Sequence, residues 1–373
     1  MENLIEFSEE QSLLLDTAMD FCSTHSPMGK VRSQIDEARG FDADQWNAMV
    51  ELGWLSIIIP ESHGGIGLGM ADVVPIIECM GRQLMGSPFL ATTLASHALI
   101  QGGTTDQKNE WLTKISGGAI VTVALQEESG DWNLQNLSAK ATRTGDNITL
   151  SGKKTFVLDA LEAELIIASV DLDGEAALLC LETNKIPGAQ IIREDVIDET
   201  RRCFEISLDG ITVPVTALFE TNCLDSIEQA ALLLLSAEMA GGIAGTLNII
   251  IEYLNTRKQF DRLIGSYQAL KHPTVDILLG LEACRSHVYH AATAFDHGSA
   301  KEREVALRMA KASASEHFAF AGDRAVQFHG GFGFTYECDA QLYLRRALWS
   351  QYQYGDEKYH RLKLAPLLLD EPS

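Results

Sequence analysis

Residues 256 to 277 read TRKQFDRLIGSYQALKHPTVDI, and Arg257, Lys258, Arg262, Lys271 and His272 gather positive charge there. Such a cluster suits a diphosphate: a planar guanidinium donates paired hydrogen bonds to phosphate oxygens, and Gln259 and Gln268 add neutral donors. A solvated helix end would have the same composition. Further along, residues 327 to 347 read QFHGGFGFTYECDAQLYLRRA, where three glycines after an amphipathic run let backbone N–H groups approach a ligand closely. This segment lies between helical patterns and does not follow a strand, so it is not a Rossmann fingerprint. A tight helix-to-helix turn is its plain alternative.

The basic cluster stands out against the rest of the chain. Of 373 residues, 29 are Lys or Arg and 52 are Asp or Glu, a formal net charge of −23 that repels nucleic-acid phosphates and anionic lipid headgroups. Neither nucleic acid nor a membrane is an expected partner. The seven cysteines are scattered without a C-x-x-C pair, which predicts reduced thiols in the cytoplasm and no metal. The opening MENLIEFSEEQSLLLD is acidic and amphipathic, unlike a signal or transit peptide. The most apolar stretch, residues 229 to 251, is interrupted by Ser236, Glu238, Gly241, Gly242 and Asn248, which predicts a buried bundle helix over a membrane span.

Three blocks of pattern must position these residues. Helical periodicity runs through residues 1–118, broken by IIPESHGGIGLG, whose proline and glycines demand a loop with close backbone approach. Residues 119–220 switch to short β-rich runs. Turns at Gly145-Asp146-Asn147 and Asp173-Gly174 predict hairpins within a small antiparallel barrel or sandwich. The helical period returns over 221–373 in segments long enough for a bundle of four or more helices. The expected fold is therefore α+β and multidomain, in the order α, β, α.

RKQFDRLIGSYQALKH is similar to the acyl-CoA dehydrogenase signature R-x-x-F-G-x-x-I-x-x-x-Q, and QFHGGFGF to its Q-x-x-G-G-x-G-[FY]. PESHGGIGLG resembles the family's N-terminal loop, and ALQEESGD with LSGKKTFVLDA resembles its β-domain, so the resemblance covers nearly the whole chain. It implies an N-terminal α-domain, a central β-domain and a C-terminal four-helix bundle, with FAD held between the last two and a neighbouring subunit. By the same resemblance, Arg257 and Gln259 would reach the FAD diphosphate of that neighbour. Phe260, Tyr267 and Gln268 would line the flavin or adenosine site, and Gln327, Gly330 and Gly331 would hold the adenosine-diphosphate end.

The family reaction removes an α-proton from an acyl-CoA thioester with a carboxylate while the β-hydrogen leaves as hydride to the flavin. Burial suits a carboxylate to that work by raising its pKa toward neutrality. Many members carry this glutamate near the C-terminus, where QYQYGDEKYHR places Tyr354, and a phenol of ordinary pKa about 10 is a poor base. Others carry it on the first bundle helix, where Ala231 stands. Glu238, about two helical turns further along the same stripe, is the substitute candidate; its alternative is a structural carboxylate bonded to a helix end or an arginine. Asp356 and Glu357 are weaker candidates. Three further departures bear on FAD: Asp261 replaces a usual glycine, Phe156 and Leu158 replace the flavin-contacting Trp and Thr, and Glu128-Ser129-Gly130-Asp131 replaces a serine-bearing loop.

SAEMAGG and the G-D in place of G-T resemble the branch whose members form mixed tetramers acting on bulky acyl-CoAs such as steroid side chains. The resemblance implies a related subunit or a second copy as partner and an electron-transferring flavoprotein as electron acceptor. Two alternatives are a non-catalytic, FAD-poor subunit that completes a partner's site, and a flavin oxidase on the same fold. The small residues at Gly241, Gly242 and Gly245 predict either close helix packing or room for a bulky acyl group.

Overall fold

The computed structural model describes residues 9–369, so the first residues of the acidic opening lie outside the described part. Six helices come first: α1 (Glu9–His25), α2 (Met28–Ile35), α3 (Ala43–Glu51), α4 (Val74–Arg82), α5 (Phe89–Gly102) and α6 (Thr105–Ser116). Their ends follow local chemistry. Asp42 caps α3 by accepting from the Asp44 N–H, and Thr104 with Gln107 forms a reciprocal capping box at the start of α6. Between α3 and α4 the glycine-rich loop folds back on its own entry, the N–H groups of Ile66 and Leu68 each donating at 2.8 Å to the carbonyls of Ser56 and Ile57.

The middle third is β: β1 (Val121–Ala124), β2 (Lys140–Thr144), β3 (Asn147–Ser151), β4 (Lys153–Leu158), β5 (Leu165–Leu172), β6 (Glu175–Glu182), β7 (Ile191–Glu194), β8 (Cys203–Ser207) and β9 (Thr212–Pro214). The two expected hairpins form, β2–β3 around Gly145-Asp146 and β5–β6 around Asp173-Gly174. A wholly antiparallel arrangement does not. Leu165–Ala168 of β5 pairs parallel with β1, and Asp171–Leu172 pairs parallel with β2. Alternation of apolar residues fixes which face of a strand is buried but not which way its neighbour runs. These strands and β9 make a six-stranded sheet, and β4, β8 and β7 make a separate three-stranded antiparallel one.

The last third is α7 (Leu224–Thr256), a short hairpin of β10 (Lys258–Gln259) and β11 (Arg262–Leu263), α8 (Gln268–His297), α9 (Ala300–His329), α10 (Ala340–Tyr352) and α11 (Glu357–Leu369). Helix α7 is long and apolar enough to cross a membrane by composition alone, but 94% of its most apolar window is buried within the protein. Its glycines settle the choice between packing and acyl room. A Cβ at Gly241 would strike the Glu78 backbone of α4, and one at Gly242 would strike the Phe318 ring of α9. They are small because two helices cross there.

Candidate functional site

Two separate places gather the residues singled out in the sequence. The first is a small apolar cavity between α5, β1, β4, α7 and the end of α10. Leu90, Leu94 and Leu235 supply aliphatic wall, and Phe156, Leu158, Gln126 and Gln353 come from the β-domain and the C-terminal turn. Both expected base positions, Ala231 and Tyr354, face this one space. Neither carries a carboxylate, and no Asp, Glu or His is among the lining residues.

Tyr354 is further from being a base than its residue type suggests. Burial raises its phenol well above the ordinary value, and the nearby Glu228 charge raises it further. Its backbone is left-handed at φ 57°, followed by Gly355 at φ 109°. Phe156 reaches the cavity by a comparable device: β4 slips register between Lys154 and Val157, Phe156 takes φ 53°, and its N–H donates to Glu194 Oε2 at 2.7 Å. Gln126 Nε2 donates to Gln353 Oε1 at 2.9 Å, tying the β-domain to the C-terminal turn.

Glu238 lies elsewhere. Its carboxylate is 3% exposed and sits between two guanidinium groups, accepting a close hydrogen bond from Arg201 and one at 3.2 Å from Arg346. Arg346 in turn donates through Nε to Asp198, whose other oxygen takes the Thr200 N–H at 3.1 Å and hydroxyl at 2.6 Å. Glu238 is thus paired with two arginines, one of the two structural arrangements weighed above against a base. It is absent from the cavity wall. Glu127 is likewise held inside, accepting from Lys154 Nζ at 2.7 Å and from the N–H groups of Ser138 and Ala139. Burial alone would raise its pKa, but the Lys154 ammonium and the Ala139 and Ser138 N–H groups together keep it lowered. Asp356 caps α11 by accepting from the Tyr359 N–H, and Glu357 accepts from Gln351 Nε2.

The second place is an open cleft of about 1020 Å³ where α7 ends and α9 turns. Arg257, Gln259, Gly330 and Gly331 all line it, so the two sequence motifs meet in space. Gly330 takes φ 63°, and a Cβ on either glycine would meet nothing within 4 Å, which leaves the turn's backbone open to a ligand. Tyr267 braces the site by donating its hydroxyl to the Gln259 carbonyl at 3.1 Å. Phe260, Gln268 and Gln327 are exposed around the cleft and not in its wall; Phe260 is 87% exposed at the hairpin tip. That tip explains Asp261 in a glycine position: Phe260 and Asp261 take φ 53° and 60°, and aspartate tolerates this region better than most side chains.

The sequence reading missed Tyr253 and His329, which also line the cleft and stack on each other with centroids 4.1 Å apart. His329 sat in view inside QFHGG, but nothing in the sequence pairs it with a tyrosine on another helix. Among the described residues, none of Arg257, Lys258, Arg262 and Lys271 forms an ion pair, although the chain is strongly acidic. Uncompensated cations beside open glycine backbone fit a dinucleotide diphosphate. In the apolar cavity, Thr122 Oγ1 and Trp349 Nε1 are buried without a partner among the described residues, which leaves hydrogen-bonding capacity for a flavin ring's polar edge.

Comparison with known proteins identifies the family. The acyl-CoA dehydrogenase N-terminal domain model matches residues 8–119, and the C-terminal domain model matches residues 231–369. The chain is 30% identical over 341 residues to acyl-CoA dehydrogenase IpdE2 of Mycolicibacterium smegmatis, covering 91% of this chain and 93% of that one. It is 26% identical to acyl-CoA dehydrogenase FadE27 of Mycobacterium tuberculosis, covering 99% and 98%. Among solved structures, the ChsE4-ChsE5 complex from Mycobacterium tuberculosis matches with a TM-score of 0.90 at 24% identity over 99% of both chains. Butyryl-CoA dehydrogenase from Megasphaera elsdenii matches at 0.86 and 21%, over 98% of this chain and 99% of that one. The motifs and these matches over nearly the full length place the chain in the acyl-CoA dehydrogenase family of FAD-dependent acyl-CoA oxidoreductases.

Proposed function

We propose that this chain serves α,β-dehydrogenation of an acyl-CoA thioester as the base-lacking subunit of a mixed tetramer, holding the adenosine-diphosphate end of an FAD whose flavin lies in a related chain. The observation that carries this reading is that Ala231 and Tyr354, the two positions where the family keeps its base, face one cavity without a carboxylate. When bound, FAD supplies the hydride acceptor. Arg257 and Gln259 would bind its phosphates, and the N–H groups of Gly330 and Gly331 would orient them. The exposed Phe260 would pack on the partner's side of the shared site. The related chain supplies the carboxylate that takes the α-proton.

Two neighbours support a mixed assembly acting on a bulky substrate: one solved structure is the ChsE4-ChsE5 complex, and another is described as the Tcur3481-Tcur3483 steroid ACAD. We extend the reading to a steroid-like acyl-CoA, an electron-transferring flavoprotein as acceptor and a cytoplasmic location. The test is to purify the chain alone and together with a related subunit, measure flavin per chain, and titrate each anaerobically with straight, branched and steroid-like acyl-CoAs. A colourless or unreactive chain that gains bleaching with its partner is the expected result. A homotetramer that bleaches by itself would overturn the reading and return attention to Glu238.

A further inference from the structure

One uncompensated arginine lies outside the basic cluster. Arg303 stands in the first turn of α9, and its guanidinium forms no ion pair among the described residues. Its Nε is buried without a hydrogen-bond partner among them. A cation in that turn faces the positive end of the helix dipole, so Arg303 does not serve the helix. Its guanidinium lies 5.4 Å over the Phe295 ring of α8 and borders an open cleft where the glycine-rich loop, α5, α7, α8 and α9 meet. We propose that this cleft binds a small organic monocarboxylate, with Arg303 taking the carboxylate and apolar side chains enclosing its body. The cleft shares no lining residue with the apolar cavity or with the cleft around Arg257.

Two further side chains complete a polar end. His97 is 7% exposed, and its Nε2 shares a 2.8 Å hydrogen bond with the Ser226 hydroxyl, joining α5 to α7. Burial pushes the imidazole down to about 4, so it is neutral at neutral pH. Protonated at Nε2, the ring donates to Ser226 Oγ and frees the hydroxyl proton for a ligand. Ser226 and the exposed Gln101 border the same space as Arg303, adding hydroxyl and amide donors to the guanidinium. A guanidinium with an unpartnered Nε can offer the paired N–H groups that match the two oxygens of a carboxylate.

The rest of the cleft sets the class of ligand. Ile58, Leu68, Met70, Ile100 and Phe295 are apolar and suit an aliphatic or aromatic body. Asp296 also borders the space, where its Oδ1 accepts from the Met70 N–H at 3.2 Å and its Oδ2 from the Ala71 N–H at 3.0 Å. It holds the end of the glycine-rich loop against α8, and a Cβ at Gly69 would strike it, so this side of the cleft is preformed. Its negative charge disfavours a second anionic group on the ligand, which favours a monocarboxylate over a polyphosphate.

The full chain, titrated by calorimetry with hexanoate, hexanamide and hexylamine, tests this with probes that share a body and differ in head group. Neither flavin nor a partner chain is needed, so the outcome is independent of the proposed function. Expected is saturable binding of one hexanoate per chain, with hexanamide much weaker and hexylamine without binding. Arg303→Met should weaken hexanoate at least about tenfold, Ser226→Ala about threefold, and Arg257→Ala not at all. Thermal melts show that each variant is folded. Arg303→Lys, which keeps the charge and loses the fork, should weaken binding by an intermediate factor and carries the test if the methionine variant does not fold. Wild-type affinity in the folded Arg303 variants overturns the proposal, as does a loss confined to Arg257→Ala, which would put the carboxylate in the other cleft. Hexanamide binding as tightly as hexanoate, or hexanoate binding without saturation, overturns it too.

Discussion

The chain uses arginine in two opposite ways, and the difference separates structure from function. Around Glu238, Arg201 and Arg346 are almost wholly buried and their charges are met within the chain by Glu238 and Asp198. Around the open cleft, Arg257 and its basic neighbours are exposed and lack ion-pair partners among the described residues. A buried charge must find its counter-ion inside the fold, because desolvation is otherwise prohibitive. An exposed charge can wait for an anion from another molecule. The first set staples the β-domain to the bundle; the second is free to bind.

The comparison breaks first at Arg346. Arg346→Met leaves Asp198 and Glu238 short of their shared counter-ion in the interior, and we expect it to lower unfolding free energy by about 3–5 kcal/mol in urea denaturation. A change under about 1 kcal/mol would mean that the cluster is hydrated and not a staple. Glu238→Gln tests the same pair from the other side. It should destabilise the fold yet leave anaerobic flavin reduction in the mixed assembly intact, whereas lost reduction at unchanged stability would make Glu238 the base.

At the open end the expected effect is on binding. Arg257→Ala removes a charge-assisted phosphate contact of about 1.5–3 kcal/mol, so FAD should be held roughly 10- to 100-fold more weakly in the mixed assembly, with the melting temperature of the apo chain unchanged. Equal flavin retention by the variant would remove the diphosphate assignment.

Lys311 is intermediate between the two sets, buried yet paired only with three neutral acceptors, the carbonyls of Gln351 and Gly355 and Ser315 Oγ, and it predicts a pH dependence. Burial pushes its amine down from 10.5 to about 7, partly offset by Asp356 and Glu357. Between those values the unfolded chain holds a proton that the folded chain releases, so stability should rise with pH. The difference between wild type and Lys311→Met should climb from pH 7 to 9 by at most about 1.4 kcal/mol per unit. A flat difference would show that the three acceptors keep the ammonium charged. The smallest effect belongs to the exposed pair of Lys114 and Glu110, 2.7 Å apart on α6, where Lys114→Ala should change stability by about 0.5 kcal/mol or less.

Much of this was legible in the sequence because it is local. The order of α, β and α blocks follows from periodicity, the Gly145-Asp146 and Asp173-Gly174 turns from residue type, and the absence of a carboxylate at Ala231 and Tyr354 from the residues themselves. The basic cluster and the double-glycine turn were visible as separate signals, but that they share one cleft was not. Nor was the direction of β5 beside β1 and β2, because the side chains alternate in the same way in either orientation.

The sequence by itself determined that Ala231 and Tyr354 carry no carboxylate, since folding cannot change the type of a side chain. Only the tertiary structure decided what the remaining charges do. Glu238 meets Arg201 and Arg346 across 37 and 108 residues of chain, and Lys311 meets Gly355 across 44. Whether such a group is spent or free depends on which distant partner the packing brings to it, and periodicity and motif spacing carry no information on that.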